Sequence, residues 1–357
     1  MLQLFKFRKF RKFGSVNGCD KLTTIKEIAK ELHLSASTVS KGLSGASDVS
    51  AATRQLILGT AMKMGYVPKQ GRLEEEQRIC VFIENMGYER IEQFGYDIIV
   101  GFKLEASAKQ WDVSIVPLAM NQESDYNYEE YMLQNRYGAG FLLGFNLHNN
   151  FLEQLTKTTV PTVLLDNIVY NKNVACVGTD NQQGVFYAVE HLASLGHRNI
   201  AMLNGEAVSR VSYERLNGFK LGMEKCGLPV REELIAHGDY TPDCAEKFVG
   251  YFIREGATAI VCASDLIAHG VLRELYRLGV RVPDDVSVVG FDDLPLASYM
   301  TPPLTTIRQN RLEIGRNVCM VMEQILKGNH VNRLLLMPEL VIRESTGRPG
   351  KVEKSAL

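Results

Sequence analysis

The stretch Thr24-Ile25-Lys26-Glu27-Ile28-Ala29-Lys30-Glu31-Leu32-His33-Leu34-Ser35-Ala36-Ser37-Thr38-Val39-Ser40-Lys41 reads as two short helices joined by a tight turn. Ile25, Ile28, Ala29 and Leu32 recur at three- and four-residue spacing, Ser35 stands where a second helix needs its cap, and Val39 and Leu43 continue the apolar face. Ser50 is placed to cap a third helix from Ala51 to about Met64, with Leu56, Ile57, Ala61 and Met64 turned inward. The pattern is that of a helix-turn-helix, in which the N-terminal residues of the second helix enter the major groove of DNA. Ala36 and Ser37 are expected at base edges, and Lys41, one turn deeper, at a base or phosphate. The hydroxyls of Thr38 and Ser40 suit phosphate oxygens.

Charge is distributed to match. The whole chain of 357 residues has a formal net charge of -1, yet residues 1–70 carry 12 Lys and Arg against 4 Asp and Glu, a net +8. By difference the remainder carries -9, so one basic end is set to face nucleic acid. Composition is that of an ordinary globular protein, 45% hydrophobic and 23% charged. Seven scattered cysteines, none in a Cys-x-x-Cys pair, argue against a disulfide framework or a zinc site. No apolar run is long enough to span a bilayer and no secretory signal is evident, so a cytoplasmic location without membrane association is expected. Residues 1–22, with the alternating aromatic and basic run Phe5 to Phe13, read as a disordered extension and receive no role.

Beyond Arg78 the rhythm changes. Ile79–Ile83, Val113–Val116, Gly140–Leu143, Thr162–Leu165, Asn199–Leu203, Ala259–Cys262 and Val286–Val289 are nearly continuous apolar runs, the pattern of parallel strands buried on both faces. That many strands exceed one core, and the predicted fold is a small all-α helix-turn-helix domain followed by an α/β core of two doubly wound parallel-sheet lobes. Ligands of such sheets lie beyond the carboxyl ends of the strands. Asp166, Ser264-Asp265 and Asp292-Asp293 fall there, and Arg215 in a helical stretch adds a fork of donors, a set suited to the hydroxyls of a sugar.

Thr24–Ala29, Ser35–Lys41, Val49–Arg54, Gly65-Tyr66-Val67-Pro68, Val177–Asn181, His191–Arg198, Arg215–Phe219, Val282–Asp293 and Pro302–Gln309 together resemble the lactose/galactose repressor family of bacterial transcription regulators. The resemblance covers roughly residues 23 to 347. It implies a homodimer on a palindromic double-stranded operator, and a core like a periplasmic sugar-binding protein holding a small-molecule effector, a sugar or related metabolite. No cofactor and no metal are expected. The DNA-contacting set is then Thr24, Ser35, Ala36, Ser37, Thr38, Ser40 and Lys41. Effector contacts are implied at Asp166, Arg215, Asp265, Asp292 and Gln309, with aromatic rings at Phe94, Tyr96 and Tyr240, and with Ser264 where the family often has asparagine.

Two departures stand out. His33 occupies a turn position where the family usually has glycine, and the turn is expected to survive at modest cost because histidine tolerates positive φ better than a β-branched residue. After Tyr66-Val67-Pro68 the family continues into a hinge helix whose leucine wedges the minor groove. Here Lys69-Gln70-Gly71-Arg72-Leu73-Glu74-Glu75-Glu76 is shortened, broken by glycine and followed by three carboxylates, so that contact is expected to be weakened, with Leu73 as a displaced wedge. The expected organisation is 1–22 extension, 23–68 DNA-binding domain, 69–77 degenerate hinge, 78–347 effector core and 348–357 tail. Within the core the first lobe spans about 78–180 and 311–335, and the second about 181–307 and 336–347. The tail is too short for a tetramerising heptad helix.

Competing readings are a cytoplasmic sugar-binding protein or a sugar-modifying enzyme on the same core. A binding protein leaves the helix-turn-helix unused. For an enzyme, Asp292 and Asp293 are adjacent and point apart, no nucleophile has a base, and the phosphate-loop, nucleophile-elbow and zinc-helix patterns are all missing. His191 and His197 flank a helix-ending Leu195-Gly196 and read as structural.

Overall fold

In the computed structural model, which describes residues 23–43, 46, 48–64, 66, 77–118, 127–146 and 150–350, the chain divides into two units, 1–73 and 74–357. The extension 1–22, the segment 69–76 with Leu73, and most of the tail lie outside the described residues.

The first unit contains α1 (Ile25–Glu31), α2 (Ala36–Leu43) and α3 (Ala51–Lys63). Thr24 caps α1 in a full capping box: the Glu27 amide donates to its hydroxyl at 3.3 Å, and the Glu27 carboxylate accepts from the Thr24 amide at 2.7 Å. Ser35 accepts from the Thr38 amide at 3.0 Å and Ser50 from the Thr53 amide at 3.2 Å, so each helix start is satisfied by a short hydroxyl. His33 turns the chain between α1 and α2 at φ 52°, the left-handed conformation expected of that position. Ile28, Val39, Leu43, Ile57, Leu58 and Ala61 form the core. Leu56, expected inside, is 56% exposed, because the buried stripe through Ile57 and Ala61 extends to the Leu58 side of the helix and not to the Leu56 side.

In the second unit the first lobe holds β1 (Arg78–Ile83), α4 (Phe94–Ala108), β2 (Asp112–Pro117), α5 (Tyr128–Gln134), β3 (Ala139–Leu143), α6 (Asn150–Leu155), β4 (Thr162–Leu165) and β5 (Val174–Thr179). The chain then builds α7 (Asn181–Leu195), β6 (Ile200–Asn204), α8 (Arg210–Lys225), β7 (Ile235–His237), α9 (Val249–Arg254), β8 (Ala259–Cys262), α10 (Asp265–Arg277), β9 (Ser287–Asp292) and β10 (Thr305–Arg308) in the second lobe. It returns to the first lobe with α11 (Arg311–Leu326) and β11 (Arg333–Leu336), and ends in the second with β12 (Glu339–Val341). The sheet orders are β11-β5-β4-β3-β1-β2 and β12-β10-β9-β8-β6-β7, so three crossings join the lobes.

Every pairing is parallel except that of β12 with β10, an antiparallel edge on an otherwise parallel sheet. The inner strands β1, β3, β4, β5, β6, β8 and β9 are buried almost throughout, as double coverage by helices requires. α7 ends at Gly196 with φ 103°. His197, fully buried, bonds to Thr258, Ser287 and the Gly347 carbonyl at 2.9 to 3.0 Å, and burial holds it below its ordinary pKa. It is a structural pin for the chain end that follows β12. Among the described residues no helix is long and apolar enough to cross a membrane.

Candidate functional site

The surface expected to read DNA follows from how α2 is packed. Val39, Gly42 and Leu43 face inward, and a Cβ at Gly42 would collide with Ile57 of α3. Ser35, Ala36, Ser37, Ser40 and Lys41 are left exposed on the opposite side, while Thr38 is half-buried. The Ser35 hydroxyl also meets those of Ser37 at 2.7 Å and Thr38 at 2.8 Å, so three hydroxyls cluster at the helix start. Lys41 is ion-paired with Asp48, which holds the Asp48 carboxyl below its usual range. Thr24 is occupied by its capping box at the start of α1.

The second surface is a cavity of about 600 Å³ between the lobes, where the carboxyl ends of β1, β3 and β4 meet those of β6, β8 and β9. Phe94, Asp166, Arg215, Tyr240, Ser264 and Asp292 all line it. The backbone pays locally for this convergence. Asn85, Asp166, Tyr240 and Asp292 have φ of 49°, 59°, 61° and 112°, and each lines the cavity. Non-glycine residues resist that region, and its concentration here singles the cavity out as the candidate site.

Arg215 is the best-fixed side chain. It is 4% exposed, its Nε donates to Asn181 Oδ1 at 2.9 Å, its Nη1 donates to the Ala263 carbonyl, and the guanidinium lies 3.9 Å from the centre of the Phe291 ring. Nη2 stands 3.8 Å from Asp292 Oδ1, which also accepts from Gln309 Nε2 at 2.7 Å. Burial raises Asp292 to about 6 against the opposing pull of Arg215, and raises Asp166 to about 7 for the same reasons. Tyr240 is also pushed up by burial, and its hydroxyl meets Ser212 Oγ at 2.8 Å.

Three expected contacts sit elsewhere. Asp265 is fully buried beneath the cavity wall, where its carboxylate accepts from the Leu294 amide at 2.7 Å and the Thr306 hydroxyl at 2.6 Å. It fastens the loop after Asp292 and does not line the cavity. Gln309, 3% exposed, stands behind Asp292 and orients it. Tyr96 lies two helical positions beyond Phe94, which turns it off the cavity wall. Ser264 does line the cavity, but its hydroxyl caps α10 by accepting from the Ile267 amide at 3.2 Å.

Sequence reading missed Asn85, Asn146, Asn167, Glu206, Arg210 and Asp239, all on the cavity wall. Three glycines beside the strand ends mark only residues that the sequence had already singled out. A Cβ at Gly178 would strike the Asp166 carboxylate, one at Gly290 the Asp265 carboxylate, and one at Gly205 the Tyr240 ring. Two arginines tie the lobes around the site. Arg311 at the start of α11 donates to Asp97 Oδ2 at 2.8 Å and to the Asp292 carbonyl at 3.0 Å. Arg333 of β11 reaches Glu214 of α8 at 2.9 Å.

Comparison with known proteins agrees with both halves. Residues 24–69 match the model for bacterial regulatory proteins of the lacI family, and residues 189–346 match that for a periplasmic binding protein-like domain. The HTH-type transcriptional repressor CytR of Escherichia coli (strain K12) is 30% identical over 331 residues, covering 90% of this chain and 96% of the relative. A structure of the transcriptional regulator CelR with cellobiose superposes with a TM-score of 0.69 at 26% identity, over 90% of this chain and 99% of that one. The lac repressor dimer bound to operator and an anti-inducer gives 0.64 at 25% identity, over 92% and 100%.

Proposed function

The chain belongs to the lacI family of bacterial regulatory proteins, and from that premise we propose that it works in the cytoplasm as a homodimeric repressor whose hold on a palindromic operator is set by a small molecule in the inter-lobe cleft. It is a transcription regulator and not an enzyme. The observation that carries the proposal is the pairing, in one chain, of an exposed helix at the basic end with a cavity whose charged walls come from two lobes, each with its own sheet. Ser35, Ala36, Ser37, Ser40 and Lys41 are assigned to DNA, with the helix start aimed at the duplex. Asp166, Arg215 and Asp292 are assigned to the polar groups of the effector, and Phe94 and Tyr240 to its apolar faces. CelR was captured with cellobiose, and a sugar is the effector class proposed here.

The mechanism is a population shift. An effector that touches Asp166 on one lobe and Arg215 and Asp292 on the other favours one closure angle, and that angle reaches the DNA readers through the chain joining the two units. A coupling of about 1 to 3 kcal/mol suffices, a change of roughly five- to 150-fold in operator affinity. Selection of duplexes from a random pool tests the DNA half: a palindrome should emerge and bind on the order of a thousandfold tighter than scrambled DNA at moderate salt. Equal binding to both sinks the proposal.

A further inference from the structure

The cleft is lopsided in charge. Carboxylates of Glu92, Asp166, Glu206, Asp239 and Asp292 line it, against the guanidiniums of Arg210 and Arg215. Both guanidiniums are already engaged, Arg215 with Asp292 at 3.8 Å and Arg210 with Glu214 at 3.1 Å. Among the described residues Glu92, Glu206 and Asp239 have no cationic partner within salt-bridge reach. A second observation points the same way. The rings of Phe94, Phe145 and Tyr240 complete the wall, and aromatic faces attract cations.

Carboxylates and aromatic faces in one cavity call for a ligand rich in donors and positive in charge. Resting on the reading of this cleft as the effector site, we propose that the effector is a small hydroxylated molecule bearing a protonated amine, of the amino-sugar class. An ammonium brings three donors and one compensating charge. A neutral sugar brings donors but leaves the carboxylates uncompensated, and a sugar phosphate adds negative charge to walls that already repel it. The cavity volume of about 600 Å³ suits a mono- or disaccharide.

Calorimetric titration of the full chain, in an amine-free buffer at neutral pH, should use sets on one carbon skeleton. Glucosamine, galactosamine and mannosamine are compared with the parent sugars, their N-acetyl forms, which keep the nitrogen but lose its charge, and their phosphate esters. At least one amine should bind on the order of tenfold tighter than its parent and its N-acetyl form, and the phosphates should not bind. The double variant Glu206→Gln/Asp239→Asn, altering two side chains that take no part in the core, should erase that preference. The proposal is overturned if a parent or N-acetyl sugar binds as tightly as its amine, if a phosphate binds, or if every amine is silent. A neutral sugar that binds and shifts operator affinity overturns the amine and leaves the regulator intact. An amine that binds without shifting operator affinity upholds the ligand class and rejects its role in regulation.

Discussion

The reading helix and the cleft solve opposite problems. On α2 the side chains proposed to meet DNA are neighbours in sequence, exposed, and held only by the burial of Val39, Gly42 and Leu43 behind them. In the cleft they come from strand ends scattered between Asn85 and Asp292, largely buried, and held by one another through Arg215, Gln309 and Arg311. A surface of the first kind tolerates local change and fails only in what it touches. A site of the second kind fails together, because each side chain is part of its neighbour's support.

The largest expected effect breaks the first region alone. Ala36→Glu puts a carboxylate where phosphate must approach, and should cost at least about a hundredfold in operator affinity by fluorescence anisotropy. The helix itself should survive, since a carboxylate suits a helix start, and ligand affinity in the cleft should not move. Next comes Gly178→Ala in β5, whose new methyl meets the Asp166 carboxylate. Core stability in urea should fall by about 1 to 3 kcal/mol and ligand affinity with it, while the reader's intrinsic affinity for operator stays within about twofold.

The third prediction turns on pH. Burial raises Asp166 to about 7 from an ordinary 3.8, so the folded state holds that proton more tightly than the unfolded chain. Its contribution to stability is therefore full below about pH 4 and is lost as pH rises through about 7. Asp166→Asn should gain on wild type by about 2 to 3 kcal/mol between roughly pH 5 and 8, measured as the difference of two denaturation series. A constant difference would contradict the burial assigned to it. The smallest effect returns to the reader: Asp48→Asn releases Lys41 from its exposed ion pair and should raise operator affinity about two- to threefold, more at low salt.

The same contrast explains what the sequence disclosed. Helical periodicity located α1 and α2, their caps and the left-handed turn at His33, because these are local. It failed at Leu56 and Leu58, where one position of register decides which residue is inside. Strands buried on both faces announced themselves as apolar runs, but β5 was masked by Gly178 and β12 by its shortness and half-exposed edge position. In the cleft, distance from a strand end did not separate Asp292 from Asp265. Which carboxylate faces the cavity and which is pinned under Leu294 and Thr306 depends on partners far along the chain. Gly178 and Gly290 were the one local trace of that arrangement, and it becomes legible only when the side chains seated over them are known.

The central claim is that the cleft governs the reader, and Asp292 offers the direct test. Operator affinity should be titrated against effector for wild type and Asp292→Ala side by side, on the duplex recovered by selection. Wild type should shift by roughly five- to 150-fold, and Asp292→Ala should bind operator as wild type does without effector while showing no shift. A variant that responds to effector as fully as wild type, or one that stays folded yet loses operator binding, would contradict the account.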